Sequence, residues 1–290
     1  MLSWKIGDVT VTRVVESEIV FPNDPKGGFL GQASPAALRE MPWLWPHFVT
    51  EEGHLRISMH ALLVEAPRLT LVVDTCVGND KPRALTGGVG LATRFLEDLE
   101  STGCRRESVN AVVCTHLHVD HVGWNTMWKN GRWVPTFPNA RYLIGRQEYA
   151  HWKADRDPET RAILADSLQP IFDARLAELV DMNHRLSPEI RLVPTPGHTP
   201  GHVSVAIESR GQQALITGDF LHHPCQLGHP EWSPAFDSDP IASASTRRSM
   251  LEKVADRPVL VIGTHFAAPT AGHVQRAGRG FRFEVGEEPV

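Results

Sequence analysis

Thr115-His116-Leu117-His118-Val119-Asp120-His121 places four metal-ligand side chains within six positions, directly after the apolar run Val112-Val113-Cys114. In an extended chain, residues two apart project to the same side, so His116 and His118 can face one metal ion. Asp120 and His121 follow as the chain turns into its next element, and can face a second. Neutral imidazole and carboxylate are ligands that suit zinc. The competing reading is a solvated histidine-rich loop, and the recurrence of ligand-type residues downstream weighs against it.

Three later segments repeat the pattern of an apolar strand followed by a ligand. In Pro194-Thr195-Pro196-Gly197-His198-Thr199-Pro200-Gly201-His202, the Pro-Gly pair signals a turn that presents His198 at a loop tip. Leu215-Ile216-Thr217-Gly218-Asp219 puts a carboxylate just past a buried strand, where it can bridge two cations. Val259-Leu260-Val261-Ile262-Gly263-Thr264-His265 delivers a histidine in the same way. In open α/β sheets, ligands collect beyond the carboxyl ends of strands.

Outward from these motifs, the pattern predicts two rounds of strands and helices, hence two packed sheets with helices outside. Strands are expected at Val9–Val15, in a hairpin of Ser58–Val64 with Leu69–Val73, and at Asn110–Cys114, Arg141–Ile144, Ile190–Val193, Val203–Ile207, Ala214–Ile216 and Val259–Ile262. Helices are expected at Ala92–Ser101, Arg146–Trp152, Pro158–Glu178 and Ala242–Ala255. Residues 20–50 read as a long substrate-proximal loop with a short helix near Pro35–Leu38, and residues from about 272 to 290 as an unassigned tail. The whole, 1–290, reads as a single domain.

Composition narrows the function. The 290 residues carry a net charge of −5 and no block of Lys or Arg, the wrong footprint for gripping phosphate backbones. No apolar run approaches the ~20 residues of a membrane span, and the first residues lack a signal-peptide stretch, so the expectation is a cytoplasmic protein with a small-molecule substrate and neither nucleic-acid nor membrane partner. The four cysteines are scattered without a C-x-x-C pair, which indicates neither a zinc ribbon nor a disulfide framework. Histidine, with fifteen residues, is the outlier.

The H-x-H-x-D-H run at His116–His121, the P-G-H-T-P-G-H run ending at His202, the G-D at Asp219 and the G-T-H at His265 resemble the metallo-β-lactamase superfamily. Their order and spacing look most like its quorum-quenching lactonase and methyl-parathion-hydrolase branches, over about Ser58 to His265. The resemblance implies an α/β fold, a four-layer αβ/βα sandwich with the site at one edge. It implies two zinc ions per chain, the first held by His116, His118 and His198 and the second by Asp120, His121 and His265, with Asp219 bridging. It implies that Asp74 steadies the ligands from behind, and it suggests a homodimer. The lactonase branch carries a tyrosine three residues after the bridging aspartate. His222 stands there in this chain, and Cys76 stands where many relatives have glycine.

The expected activity is hydrolysis of a small ester or lactone by a hydroxide shared between the two metals, with Asp120 and His222 as catalytic groups. His222 would donate a hydrogen bond or a proton to the departing oxygen. Alternatives are a phosphotriester or aryl ester hydrolase and, in another class, an iron-dependent oxidoreductase on the same fold. A metal-binding protein without catalysis fits poorly with a complete ligand set and an open coordination position. His202 reads as a structural hydrogen-bonder, His60 as either a core residue or a substrate neighbour, and His223 as pointing elsewhere. His47, His54, His151, His184, His229 and His273 read as surface residues. Trp43 and Trp45 are open to two readings, plain packing or a lid over an apolar substrate. Trp124, Trp128 and Trp133 read as core and subunit contacts.

Overall fold

The computed structural model describes residues 1–22 and 29–286. The first half of the chain builds a seven-stranded sheet in the order β1-β2-β3-β4-β5-β8-β9. Its strands are β1 (Ser3–Ile6), β2 (Val9–Phe21), β3 (Leu55–Ala66), β4 (Leu69–Val73), β5 (Ala111–Cys114), β8 (Arg141–Gly145) and β9 (Ala177–Val180). A separate hairpin, β6 (Thr126–Lys129) with β7 (Arg132–Pro135), lies between β5 and β8 in the chain. The second half forms a six-stranded sheet of β10 (Ile190–Pro194), β11 (Val203–Ser209), β12 (Gln212–Ile216), β13 (Val259–Ile262), β14 (Ala271–Ala277) and β15 (Gly280–Glu284), in that order.

Strand alternation explains the layers. Along β3, β4 and β5, Leu62, Val64, Leu71, Val73 and Val113 meet Val203, Val205, Ile207, Ile216 and Ile262 of the second sheet in one buried cluster between the sheets. Their neighbours Ala61, Leu63, Val72 and Val112 point the other way, as a period of two requires. That outer face is covered by α2 (Phe95–Ser101), α4 (Pro158–Ile163) and α5 (Gln169–Asp173), through Phe95, Leu99, Ile163 and Ile171. On the far side of the second sheet, Leu215 and Val261 pack under Met250, Leu251 and Val254 of α7 (Pro240–Val254). The order is therefore helices, sheet, sheet, helices. The shorter helices are α1 (Pro35–Arg39), α3 (Arg146–Ala154) and α6 (Cys225–Gly228). Among the described residues no helix is long and apolar enough to cross a membrane.

The structure corrects the sequence reading in three places. The long helix expected over Pro158–Glu178 is broken: a π-helical turn at Leu164–Leu168 joins α4 to α5, and Ala177–Val180 is the edge strand β9, parallel to β8. Pro170 has no N–H to donate within a helix, and Arg175, at φ 60°, turns the chain out of it. β2 runs on to Phe21, past the expected end at Val15, with Glu16 as an extra residue at a bulge between Val15 and Ser17. The segment from 272 onward is not a bare tail, since β14 and β15 pair as a hairpin closing the second sheet. Residues 23–28 of the 20–50 segment and residues 287–290 lie outside the described residues.

Candidate metal centre

The ligand-type side chains stand at strand ends. β4 leads into Asp74, held at φ 57°, whose carboxylate accepts the Thr115 N–H at 2.7 Å and the Thr115 hydroxyl at 2.8 Å. The loop after β5 is thereby tied to the end of β4. Asp74 Oδ2 also lies 2.9 Å from His121 Nδ1. A proton on Nδ1 then leaves the Nε2 lone pair facing the cluster, the arrangement that orients metal-binding histidines. His198 is set in the same way by Asp237 Oδ1, 2.7 Å from its Nδ1, with both side chains buried. For His265 the partner of Nδ1 is the backbone carbonyl of Ser58, at 3.1 Å.

Two trios result. His116 Nε2, His118 Nδ1 and His198 Nε2 lie 2.8 to 3.2 Å from one another. His121 Nε2 and His265 Nε2 are 3.2 Å apart, with Asp120 Oδ1 3.6 Å from the first and Asp120 Oδ2 3.6 Å from the second. Asp219 Oδ2 sits between the trios, 3.2 to 3.7 Å from the facing nitrogens of His116, His121, His198 and His265. Asp219 is aimed by its own backbone: its N–H donates to His202 Nε2 at 2.7 Å, and the other ring nitrogen of His202 bonds to the Thr195 carbonyl. Gly218 makes that approach feasible, because a Cβ there would lie 2.6 Å from His202 Nε2 at φ 57°.

The charges differ between the trios. Burial holds the imidazoles of His116, His118 and His198 well below the usual histidine range. Burial pulls His121 and His265 down as well, but the carboxylates of Asp219 and Asp120 outweigh it and hold both above that range. Burial pushes the Asp219 carboxyl up, yet the imidazoles of His121 and His265 outweigh that and hold it far below the usual carboxylate range.

This donor set fits cations. Converging imidazole lone pairs repel without a positive charge among them, and their spacing is close to the roughly 3.3 Å edge of a tetrahedron with ~2.0–2.1 Å zinc–nitrogen bonds. Asp219 Oδ1 is buried with no hydrogen-bond partner among the described residues. Among the described residues, the groups geometrically able to hold a metal ion are His116-His118-His198, His116-His121-Asp219, Asp120-His121-His265 and His198-Asp219-His222. The structure thus gathers all seven residues that the sequence nominated as ligands, and adds His222 beside them.

A cavity of about 240 Å³ opens above the cluster. Its floor includes His118, Asp120, Asp219, His222 and His265, and its walls are apolar: Phe21, Phe29, Ile57, Met59, Leu85 and Phe236. His222 is buried, neither of its ring nitrogens has a hydrogen-bond partner among the described residues, and Nε2 is 3.3 Å from Asp219 Oδ2. His223 does point elsewhere, toward the Phe48 carbonyl, at 2.9 Å from its Nε2. His60 is a core residue bonded to Ser58 Oγ and absent from the cavity lining. Trp43 and Trp45 pack against the core outside the second sheet, the Trp45 indole donating to the Thr50 carbonyl, and neither lines the cavity. Packing is therefore their role, and the lid reading is set aside. Trp124 stacks on Phe95 in the core, whereas Trp128 on the β6–β7 hairpin is half-exposed. None of the six histidines read as surface residues is buried.

Sequence reasoning missed several residues that matter here. Asp237 orients His198. Glu16, on the β2 bulge, accepts the N–H groups of Val77 and Gly78 and the Trp124 indole, pinning the loop that follows Asp74. Glu148 is buried against both ligand loops. None of the three sits in a periodic or motif-like context, and only their burial marks them out.

Residues 59–265 match the family model described as the metallo-beta-lactamase superfamily. The chain belongs to the metallo-β-lactamase superfamily. An N-acyl homoserine lactonase from Bacillus sp is 25% identical over 171 residues, 59% of this chain and 61% of the relative's length. The alignment thus spans less than two thirds of that curated relative. The probable metallo-hydrolase YybB of Bacillus subtilis is 24% identical over 221 residues, 73% of this chain and 82% of its own. Among solved structures, the dizinc quorum-quenching lactonase AidC superposes with a TM-score of 0.80 at 20% identity, covering 99% of this chain and 98% of AidC. The hydrolase AbOPH gives 0.78 at 23% identity, with 99% and 98% covered. These likenesses place the four layers described above in the metallo-β-lactamase fold.

Proposed function

We propose that the protein is a two-metal hydrolase acting on a small lactone or ester. The observation that carries this reading is the pair of ligand trios around Asp219 Oδ2, at the floor of an apolar-walled cavity. His116, His118 and His198 would hold one ion and Asp120, His121 and His265 the other, with Asp219 shared; two zinc ions so bound supply Lewis acidity and a water of lowered pKa.

The chain's own groups do the rest. Asp237 and Asp74 hold His198 and His121 in the tautomer that turns Nε2 inward. Asp120, which lines the cavity, would accept a hydrogen bond from the attacking water. His222 stands where it can donate a hydrogen bond, or a proton, to the oxygen that leaves the carbonyl. Phe29 and Phe236, with centroids 5.5 Å apart and each close to the His222 ring, exclude water and hold the apolar part of the substrate. Phe21 and Phe29 in the wall support the placing of the 20–50 segment beside the substrate.

N-acyl homoserine lactones, each a lactone with an apolar chain, suit such a cavity, and they are the substrates named for the Bacillus relatives. The test is a hydrolysis screen of metal-analysed protein against acyl-homoserine lactones, other lactones, aryl esters and phosphotriesters. Ring opening of the acyl lactones above all others is expected, and turnover confined to phosphotriesters would overturn the substrate assignment. We also propose a cytoplasmic protein and, as the family resemblance suggests, a homodimer, which fractionation of its native cells and light scattering on the purified protein would test.

A further inference from the structure

α3 begins where β8 ends, and its first turn carries Glu148, which is buried. A carboxylate removed from water needs donors, and Glu148 draws them from two loops at once. Oε1 accepts the Leu117 N–H at 3.1 Å, and Oε2 accepts the Gly201 N–H at 2.9 Å. Leu117 lies between His116 and His118, and Gly201 closes the turn that starts at His198. One helical turn further on, the Trp152 indole donates to Oε1 at 2.6 Å, and its ring stands edge-on to His118 with centroids 5.1 Å apart. The approach admits only glycine at 201, since a Cβ there would lie 2.3 Å from Glu148 N. None of these bonds involves Asp120, His121 or His265; His121 is tethered by Asp74, which also holds Thr115, and His265 by the Ser58 carbonyl.

We propose that Glu148 is a positioning residue for the three-imidazole site: by tying the His116–His118 loop to the His198 loop it brings the three ring nitrogens together, and it leaves the other trio untouched. This rests on the two-metal reading above. Groups that hold ligands in place commonly change metal affinity 10- to 100-fold, on the order of magnitude expected here.

The experiment loads the full chain with cobalt(II) and titrates it with a chelator, following the visible absorption of the ion and the metal content at each step. Glu148→Gln preserves size but turns an NH₂ group toward one of the two loop N–H groups. Wild type should release two ions with distinct spectra. Glu148→Gln should release the ion whose spectrum marks the three-imidazole site at about 10- to 100-fold lower chelator, with the other unmoved. Asp74→Asn should weaken chiefly the opposite ion, because Asp74 bonds His121 directly and reaches His116 only through Thr115. Trp152→Phe, which keeps the packing and removes one donor, should loosen the same ion as Glu148→Gln by a smaller factor, and it serves if Glu148→Gln fails to fold. Equal loosening of both ions, or no change in either, overturns the proposal while leaving the two-metal reading intact. A wild type that binds only one ion overturns that reading, and the proposal with it.

Discussion

The two ligand trios share a carboxylate but are built differently. His116, His118 and His198 are imidazoles alone, and burial keeps them unprotonated. Asp120, His121 and His265 mix imidazole with carboxylate, and the acids around them favour imidazolium. The tethers differ too. The first trio depends on Asp237 and Glu148, each remote in sequence from one or both of the loops it holds. The second depends on Asp74, at the end of the neighbouring strand, and on a carbonyl of β3. One edge of the fold thus carries a site built of imidazoles alone beside a site in which imidazole and carboxylate are mixed.

Removing the shared group should have the largest effect. Asp219→Ala leaves two cation sites facing each other without a common carboxylate, so both ions and activity should go, by more than the roughly 10- to 100-fold typical of groups behind the ligands. Metal analysis with kinetics checks this, and full metal with full rate would show that the trios are independent. Next come the tethers taken separately. Asp237→Ala should weaken the first trio, and Asp74→Ala chiefly the second, with a smaller effect on the first through Thr115, the main loss in each being about 10- to 100-fold in metal affinity, as read by chelator competition. If both variants loosened the same ion, the division into trios would fail.

The ligands were legible in the sequence because each follows an apolar strand, so that pattern alone places His116 to His121, His198, Asp219 and His265 just beyond strand ends, here of both sheets. Asp237 and Glu148 were not, because what they do is set by tertiary contact: Glu148 lies on a short helix whose pattern reads as surface. The helix expected over Pro158–Glu178 failed for a related reason. Apolar spacing continues through Pro170 into Leu176 and Leu179, and periodicity does not reveal that the last of these belongs to a sheet edge. The aromatic wall was sought at Trp43 and Trp45, while Phe29 and Phe236, lone aromatics in loops, form it.

That wall gives a smaller effect. Phe236→Ala should lower kcat/KM for a long-chain substrate by about 10-fold relative to a short one, from roughly 1.5 kcal/mol of lost apolar burial. Trp43→Ala with Trp45→Ala should leave the chain-length preference unchanged. The reverse pattern would move the substrate to the other side of the 20–50 segment.

Effects on stability, leaving the trios themselves in place, come from groups buried away from them, one in each half of the chain. Lys81 lies over the Trp133 ring, and burial lowers it to about 7. The unfolded chain keeps that proton to about 10.5, so stability should rise with pH from 7 upward, by at most about 1.36 kcal/mol per unit. Burial lowers His223 to about 4 from 6.5, so stability should fall as pH drops from 6.5 toward 4. Chemical denaturation across pH should show Lys81→Met flattening the slope between 7 and 8.5, and His223→Gln flattening the acid limb. A variant with an unchanged slope would mean that its parent residue titrates normally in the fold.

The most direct test of the two-trio account is the metal content of gently purified protein, measured by elemental analysis alongside turnover of an N-acyl homoserine lactone. Two ions per chain, zinc foremost, with ring opening that disappears on chelation and returns with zinc, is the predicted result. One iron per chain with thiol-dependent oxygen uptake and no lactone hydrolysis would contradict it.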